Sequence, residues 1–124
     1  MSQWTPDELN AIGAADEIQV ASGATAGSLR RSVPIWIVRV GDDLYVRSYR
    51  GRDGGWFRRA LAHHHGRIRA AGVERDVVFH EPDDLDHPAI DRAYRTKYAQ
   101  HGARYVDPMV SPKAAAATLR LVPG

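Results

Sequence analysis

Cysteine is absent from the 124-residue chain. Disulfide stapling and thiolate chemistry are thereby excluded, and the cytoplasm is the expected location. Lysine is nearly absent too: fifteen of the seventeen basic residues are arginine. Diffuse cationic character is therefore weak, and planar, bidentate contacts with phosphate or carboxylate are favoured. An arginine-rich proteome from a GC-rich genome gives the same composition. No apolar run reaches membrane-spanning length, because Arg39 interrupts the most apolar stretch, "VPIWIVRV". The opening "MSQWTPDEL" lacks a basic start followed by an apolar core, so no secretory signal is expected.

What remains is ordinary globular material, 44% apolar, sized for a single domain over residues 1–124. Net charge is only +2, but it is unevenly spread. Eleven arginines and four acids lie between Arg30 and Arg75, whereas Asp76 to Asp91 holds six acids and no lysine or arginine. The middle of the chain is thus equipped to hold an anion.

A Thr-x-x-Glu capping box at Thr5 and Glu8, with Pro6 at the first helical position, starts a helix that Gly13 is expected to end. "DEIQVAS" alternates as a strand, and "GATAGSL" follows as a loop. "RRSVPIWIVRV" (residues 30–40) reads as one strong strand, with Pro34 marking an irregularity or an edge. "GDD" turns the chain into "LYVRSY", whose two faces are Leu44, Val46, Ser48 and Tyr45, Arg47, Tyr49. "WFRRALAHH" reads as a short helix. "GRIRAAGVERDVVFH" reads as a hairpin turning at Ala71 and Gly72. A further helix is expected over residues 88–100, capped by Asp86 and stopped by Gly102. "DPMVSP" is an ordered loop, and "AATLRLV" is a closing strand. Strands joined by tight turns predict a mainly β (α+β) fold: a six-stranded antiparallel barrel with short flanking helices.

The stretch "DDLYVRSYRGRDGGWFRRAL" concentrates five arginines around a glycine-rich bend between strand and helix. Arg47 and Ser48 sit at the strand end, the glycines let backbone N–H groups approach a ligand, and the helix start offers unpaired donors. Arg58 and Arg59 lie in the first helical turn, where cations oppose the dipole unless an anion compensates for them. Trp36, Tyr45, Tyr49, Trp56 and Phe57 either cover a flat heterocycle or pack the barrel. On residue types alone, solvated arginines around a plain aromatic core are the favoured reading, since exposed arginine is the usual state.

The segments "TPDELNAIGAADEIQVAS", "RRSVPIWIVRVGDDLYVRSYRGRDGGWFRRAL", "GRIRAAGVERDVVF", "AYRTKY" and "AAATLRL", in this order, resemble a bacterial family of domains of unknown function, number 2255. More distantly, the order of elements is similar to the flavin-binding split barrels, including pyridoxamine-phosphate-oxidase-like proteins and deazaflavin-dependent nitroreductases. That resemblance implies a split β-barrel, a homodimer, and FMN or the deazaflavin F420 held by Arg30, Arg31, Arg47, Ser48, Trp56 and Arg59. It implies flavin-dependent redox chemistry, in which the cofactor reacts and no catalytic side chain is required. A split barrel without cofactor, filled by Trp36, Trp56 and Phe57 and serving as a ligand- or partner-binding module, is the alternative.

Other features carry less. Consecutive His63, His64 and His65 cannot converge on one ion from a helix, so no metal site is expected. His80 and Glu81 read as a strand end entering an acidic loop. Tyr94, Lys97 and Tyr98 share a helix side, either as packing or as a proton-donating pair. Nucleic-acid binding is disfavoured by the low net charge and the acidic segment that follows the arginines.

Overall fold

The structure is a computed structural model describing residues 3–22 and 32–124. Helix α1 (Pro6–Ala14) opens with the expected reciprocal cap: Glu8 N–H donates to Thr5 Oγ1, and Thr5 N–H donates to Glu8 Oε1. Two donors that a helix start leaves orphaned are thereby satisfied. The helix runs just past Gly13. Leu9 and Ile12 on its buried side close one end of the core, and Trp4 before it donates its indole N–H to Leu121 O at 3.0 Å.

Among the described residues there are seven strands: β1 (Ile18–Ser22), β2 (Val33–Ile35), β3 (Val38–Val40), β4 (Asp43–Arg47), β5 (His65–Ala70), β6 (Val73–His80) and β7 (Thr118–Pro123). All pairings are antiparallel, in the order β2-β1-β5-β6-β7-β4-β3. The expected count of six is corrected here, because the strand read across residues 30–40 breaks at Trp36 and Ile37. The cause is long-range. Ile37 N–H donates to Tyr98 Oη at 3.0 Å, and Ile37 O accepts from both the Tyr98 hydroxyl and Lys97 Nζ, at 3.0 and 2.6 Å. Helix α3 (His87–Lys97) and its C-cap Tyr98 thus replace the strand ladder at this point. Trp36 stacks on the Tyr98 ring, with centroids 3.9 Å apart.

This break decides the architecture. The strands before and after it, β2 and β3, form opposite edges of the sheet. Three Cα steps join Ile35 to Val38, a reach of about 11 Å at most. Edges tethered so closely force the sheet to curl round on itself, and the result is a split barrel closed by the chain at the kink.

Period-two alternation sorts β4 as its sequence prescribes. Leu44 and Val46 point into the barrel with Val20, Ile68, Phe79, Leu119 and Leu121. Tyr45 faces the opposite way, into a second cluster beneath α3 with Ile90, Tyr94, Tyr98 and Met109. The β5–β6 hairpin turns at Ala71 and Gly72, both at positive φ (49° and 81°), which matches the right-handed twist of the flanking strands.

Helix α2 (Gly55–His63) follows a 3-10 turn at Gly51–Asp53 and packs Phe57 and Ala60 into the barrel core. Asp86 caps α3 by accepting from Ala89 N–H. Gly102, at φ 88°, leads into α4 (Ala103–Val106), a 3-10 turn at Asp107–Val110, and α5 (Pro112–Ala115). The loop expected over residues 107–112 is therefore largely single-turn helix. Pro108 and Pro112 sit at first-turn positions, and Ser111 Oγ accepts from Ala114 N–H. Among the described residues no helix is long and apolar enough to cross a membrane.

Candidate functional site

Beyond Arg47 the chain bends sharply. Gly51, at φ 73°, donates its N–H to Ser48 O, and Gly54 N–H donates to Gly51 O. Gly54 then passes so close to Ser48 that an added Cβ would lie 2.4 Å from Ser48 Oγ. Any larger residue there would force the Ser48 hydroxyl to turn away. Gly54 is also the N-cap of α2, and no side chain caps the helix. The first intrahelical bond runs from Arg58 N–H to Gly54 O, so the N–H groups of Gly55, Trp56 and Phe57 have no intrahelical acceptor. No acid lies in the first turn. Ser22, at the end of β1, donates its hydroxyl to Trp56 O at 2.9 Å and fixes this helix start against the sheet.

The open helix end borders a cleft of about 600 Å³. Ser48, Gly54, Gly55, Trp56 and Arg59 line it from the bend and α2. Val33, Ile35 and Trp36 line it from β2 and the kink, while Tyr49 and Arg50 contribute from the turn after β4. Arg104, Tyr105 and Met109 complete it from the short helices after α3. Arg59 curls back over its own helix start, its Nη1 3.4 Å from where a Cβ on Gly55 would sit. The apolar walls combine four aromatic residues, Trp36, Tyr49, Trp56 and Tyr105, with aliphatic side chains.

Three cleft arginines, Arg50, Arg59 and Arg104, form no ion pair with the described residues. Glu17 is the carboxylate on the cleft wall. Elsewhere arginines are neutralised internally: Arg52 by Glu81, Arg67 by Glu74 and Asp76, and Arg75 by Glu8. The cleft thus keeps cationic charge that the fold itself does not consume.

The structure brings Ser48, Trp56 and Arg59 together on the cleft wall; Arg47 borders the same cleft, but its hydrogen bonds run into the fold. The Arg47 side chain is 0% exposed. It donates from Nε to Thr118 Oγ1 (2.9 Å) and from Nη1 to Asp91 Oδ1 (2.5 Å) and Met109 O (3.0 Å), while Nη2 lies 3.1 Å from His87 Nδ1. Its guanidinium also stands over the Tyr94 ring, 5.5 Å from the centroid. Arg47, expected to grip a phosphate, directs most of its donors to fastening β4 to α3 and β7. Alternation along β4 already put Arg47 on Tyr45's face, away from the barrel interior; what covers that face is decided by α3.

Arg58 is exposed on α2 and does not line the cleft. Arg30 and Arg31 lie outside the described residues. Of the aromatics expected as a plug, Phe57 is buried in the core, whereas Trp36 and Trp56 stand on the cleft walls. Sequence reasoning counted Arg50 in the arginine cluster without giving it a role, and it missed Arg104 and Tyr105. Nothing local connects residues 104–105 to residues 48–59; only the return of the chain after α3 does so.

Tyr94 and Tyr98 are both fully buried, and burial pushes both phenols well above the usual tyrosine range. Lys97 is half-buried, and burial lowers its pKa to about 8. Tyr98 and Lys97 serve the kink at Ile37, which accounts for their shared helix side. Glu81 is engaged with Arg52, and His63, His64 and His65 are all exposed, His64 as the left-handed cap of α2.

The curled antiparallel sheet with short flanking helices is a fold that recurs among solved structures. It is similar to the crystal structure of a FAD-binding protein from Mesorhizobium loti, at 17% identity and TM-score 0.56, covering 98% of this chain and 89% of that one. It is also similar to the FAD and heme binding protein from Mycobacterium smegmatis, at 20% identity and TM-score 0.51, covering 98% and 67% respectively. The chain belongs to the family described as uncharacterized protein conserved in bacteria (DUF2255), whose model matches residues 8–121. No curated protein matches the sequence.

Proposed function

We infer that the cleft holds a phosphate-bearing flavin, FMN or F420 or the FAD of the structural relatives, and that the protein is a flavin-dependent oxidoreductase. The observation that carries this reading is the meeting of α2's open N-terminus, Arg59, which has no carboxylate partner among the described residues, and the walls Trp36 and Trp56 in one cleft. At about 600 Å³ it lies within the usual range for small-molecule sites, roughly 300–1,000 Å³. The donor set suits a phosphate, and the flanking rings suit a planar heterocycle.

The Gly55, Trp56 and Phe57 N–H groups would bind phosphate oxygens, with the positive end of the helix dipole behind them. Arg59 adds a planar cationic fork, and Trp56 excludes water from one side of the ring. Ser48 offers a hydroxyl beside Gly54. Arg47 is a positioning residue: it anchors the end of β4, and so the bend that carries Ser48. A bound flavin supplies hydride or electron transfer, while the chain supplies binding, orientation and charge.

The test is the visible spectrum of the purified protein, followed by titration with FMN, FAD and F420. Bound chromophore, or saturable binding that Arg59→Gln weakens about tenfold, is expected. A colourless protein that binds none of the three removes the reading. Light scattering on the same sample tests the homodimer implied by the resemblance.

A further inference from the structure

The described tyrosines divide sharply. Tyr45, Tyr94 and Tyr98 are buried, whereas Tyr49 and Tyr105 are 57% and 58% exposed, and both exposed rings line the cleft. Each sits next to an arginine in sequence, Arg50 and Arg104, and each guanidinium lies over its neighbour's ring, 5.6 and 5.8 Å from the centroid. Both arginines line the same cleft, and neither has a carboxylate partner among the described residues. The two units come from distant elements, the turn after β4 and helix α4, and the fold brings them to one cavity.

Large aromatic surface left in water at a cavity is surface that a ligand can cover. Guanidinium forks beside it select a carboxylate. Glu17, on the same cavity wall, disfavours a ligand anionic at both ends. The phosphate-binding groups assigned above, the α2 N–H groups and Arg59, are on a different element, so these two units are free for a second ligand.

We propose that the two tyrosine–arginine units, Tyr49–Arg50 and Arg104–Tyr105, form a subsite for a flat, singly charged aromatic carboxylate. This inference rests on the flavin reading for its place as the second-ligand subsite, but its binding chemistry is independent of any cofactor.

The probe is benzoate, with benzamide as its uncharged counterpart. Each is titrated into the protein by ligand-observed NMR, with and without FMN. Benzoate binds and benzamide binds about tenfold more weakly, and Arg50→Gln and Arg104→Gln each weaken benzoate about tenfold while leaving FMN affinity unchanged. Arg59→Gln has the reverse pattern. Both substituted arginines of the subsite are exposed, so folding is not at stake. If no flavin binds but benzoate discrimination persists, the subsite stands and the cofactor reading falls. Equal binding of benzoate and benzamide, no binding of either, or benzoate affinity untouched by Arg50→Gln and Arg104→Gln overturns the subsite.

Discussion

Replacing Asp91 by alanine isolates the cost of stranding the buried Arg47 charge. The Arg47 side chain is fully buried, and Asp91 is its only carboxylate partner among the described residues. Removing one partner of a buried pair typically costs about 3–5 kcal/mol. Asp91 is itself one-third exposed, at 33%, so water can follow into the gap and the lower figure applies, about 3 kcal/mol. Arg47→Met removes the charge as well. It leaves Met109 O without its donor, a loss of about 1–3 kcal/mol, but Thr118 keeps its bond to Ala115 O and Asp91 can hydrate. The double variant has no stranded charge and should be about as stable as Arg47→Met alone, giving a coupling energy near 3 kcal/mol. Urea unfolding followed by tryptophan fluorescence reads these values directly. With an m of about 1.5 kcal/mol/M, Asp91→Ala lowers the midpoint by about 2 M. An Arg47→Met variant with an unshifted midpoint and weakened FMN binding would refute the reasoning, because the guanidinium would then belong to the cleft.

Gly66→Ala places a Cβ 2.5 Å from Ala21 O and 2.9 Å from Phe79 Cε2 near the start of β5, where the backbone is paired on both sides with β1 and β6. A loss of about 3 kcal/mol and a Tm drop of about 10 °C are expected, and an unchanged thermal melt would show that the β1–β5 spacing is wrong. Lys97 titrates near pH 8 in the fold against 10.5 for the free side chain, because burial penalises its charge. Between those values the unfolded chain binds the extra proton, so stability rises with pH across that window. Lys97→Met removes this slope; the desolvation penalty it relieves is offset by the lost bond to Ile37 O, so stability at neutral pH changes by no more than about 1 kcal/mol. Urea midpoints at pH 7, 9 and 10 measure it, and a flat wild-type profile would contradict the assigned burial.

The features legible in the sequence are those whose causes lie within a few residues. Thr5 and Glu8 specify their cap across three positions, Ala71 and Gly72 specify the hairpin turn, and Asp86 caps α3, all as observed. The alternation of β4 separated Leu44 and Val46 from Tyr45 and Arg47 before any partner was known. The bend from Ser48 to Gly54 was recognisable because glycine spacing and helix starts are local matters too. The strand break at Ile37 was not, since its cause is a tyrosine 61 residues away.

By itself, then, the chain determined its local caps, its hairpin turn, the alternation of β4 and where cationic charge is concentrated. The tertiary structure decided which arginines are ion-paired within the fold and which have no carboxylate partner among the described residues. A guanidinium carries the same charge and the same fork wherever it sits. Arg47 is internal because Asp91, Met109 and Thr118, 44, 62 and 71 residues further on, fold against it, and Arg50, three residues later, borders the cleft because no carboxylate among the described residues does the same.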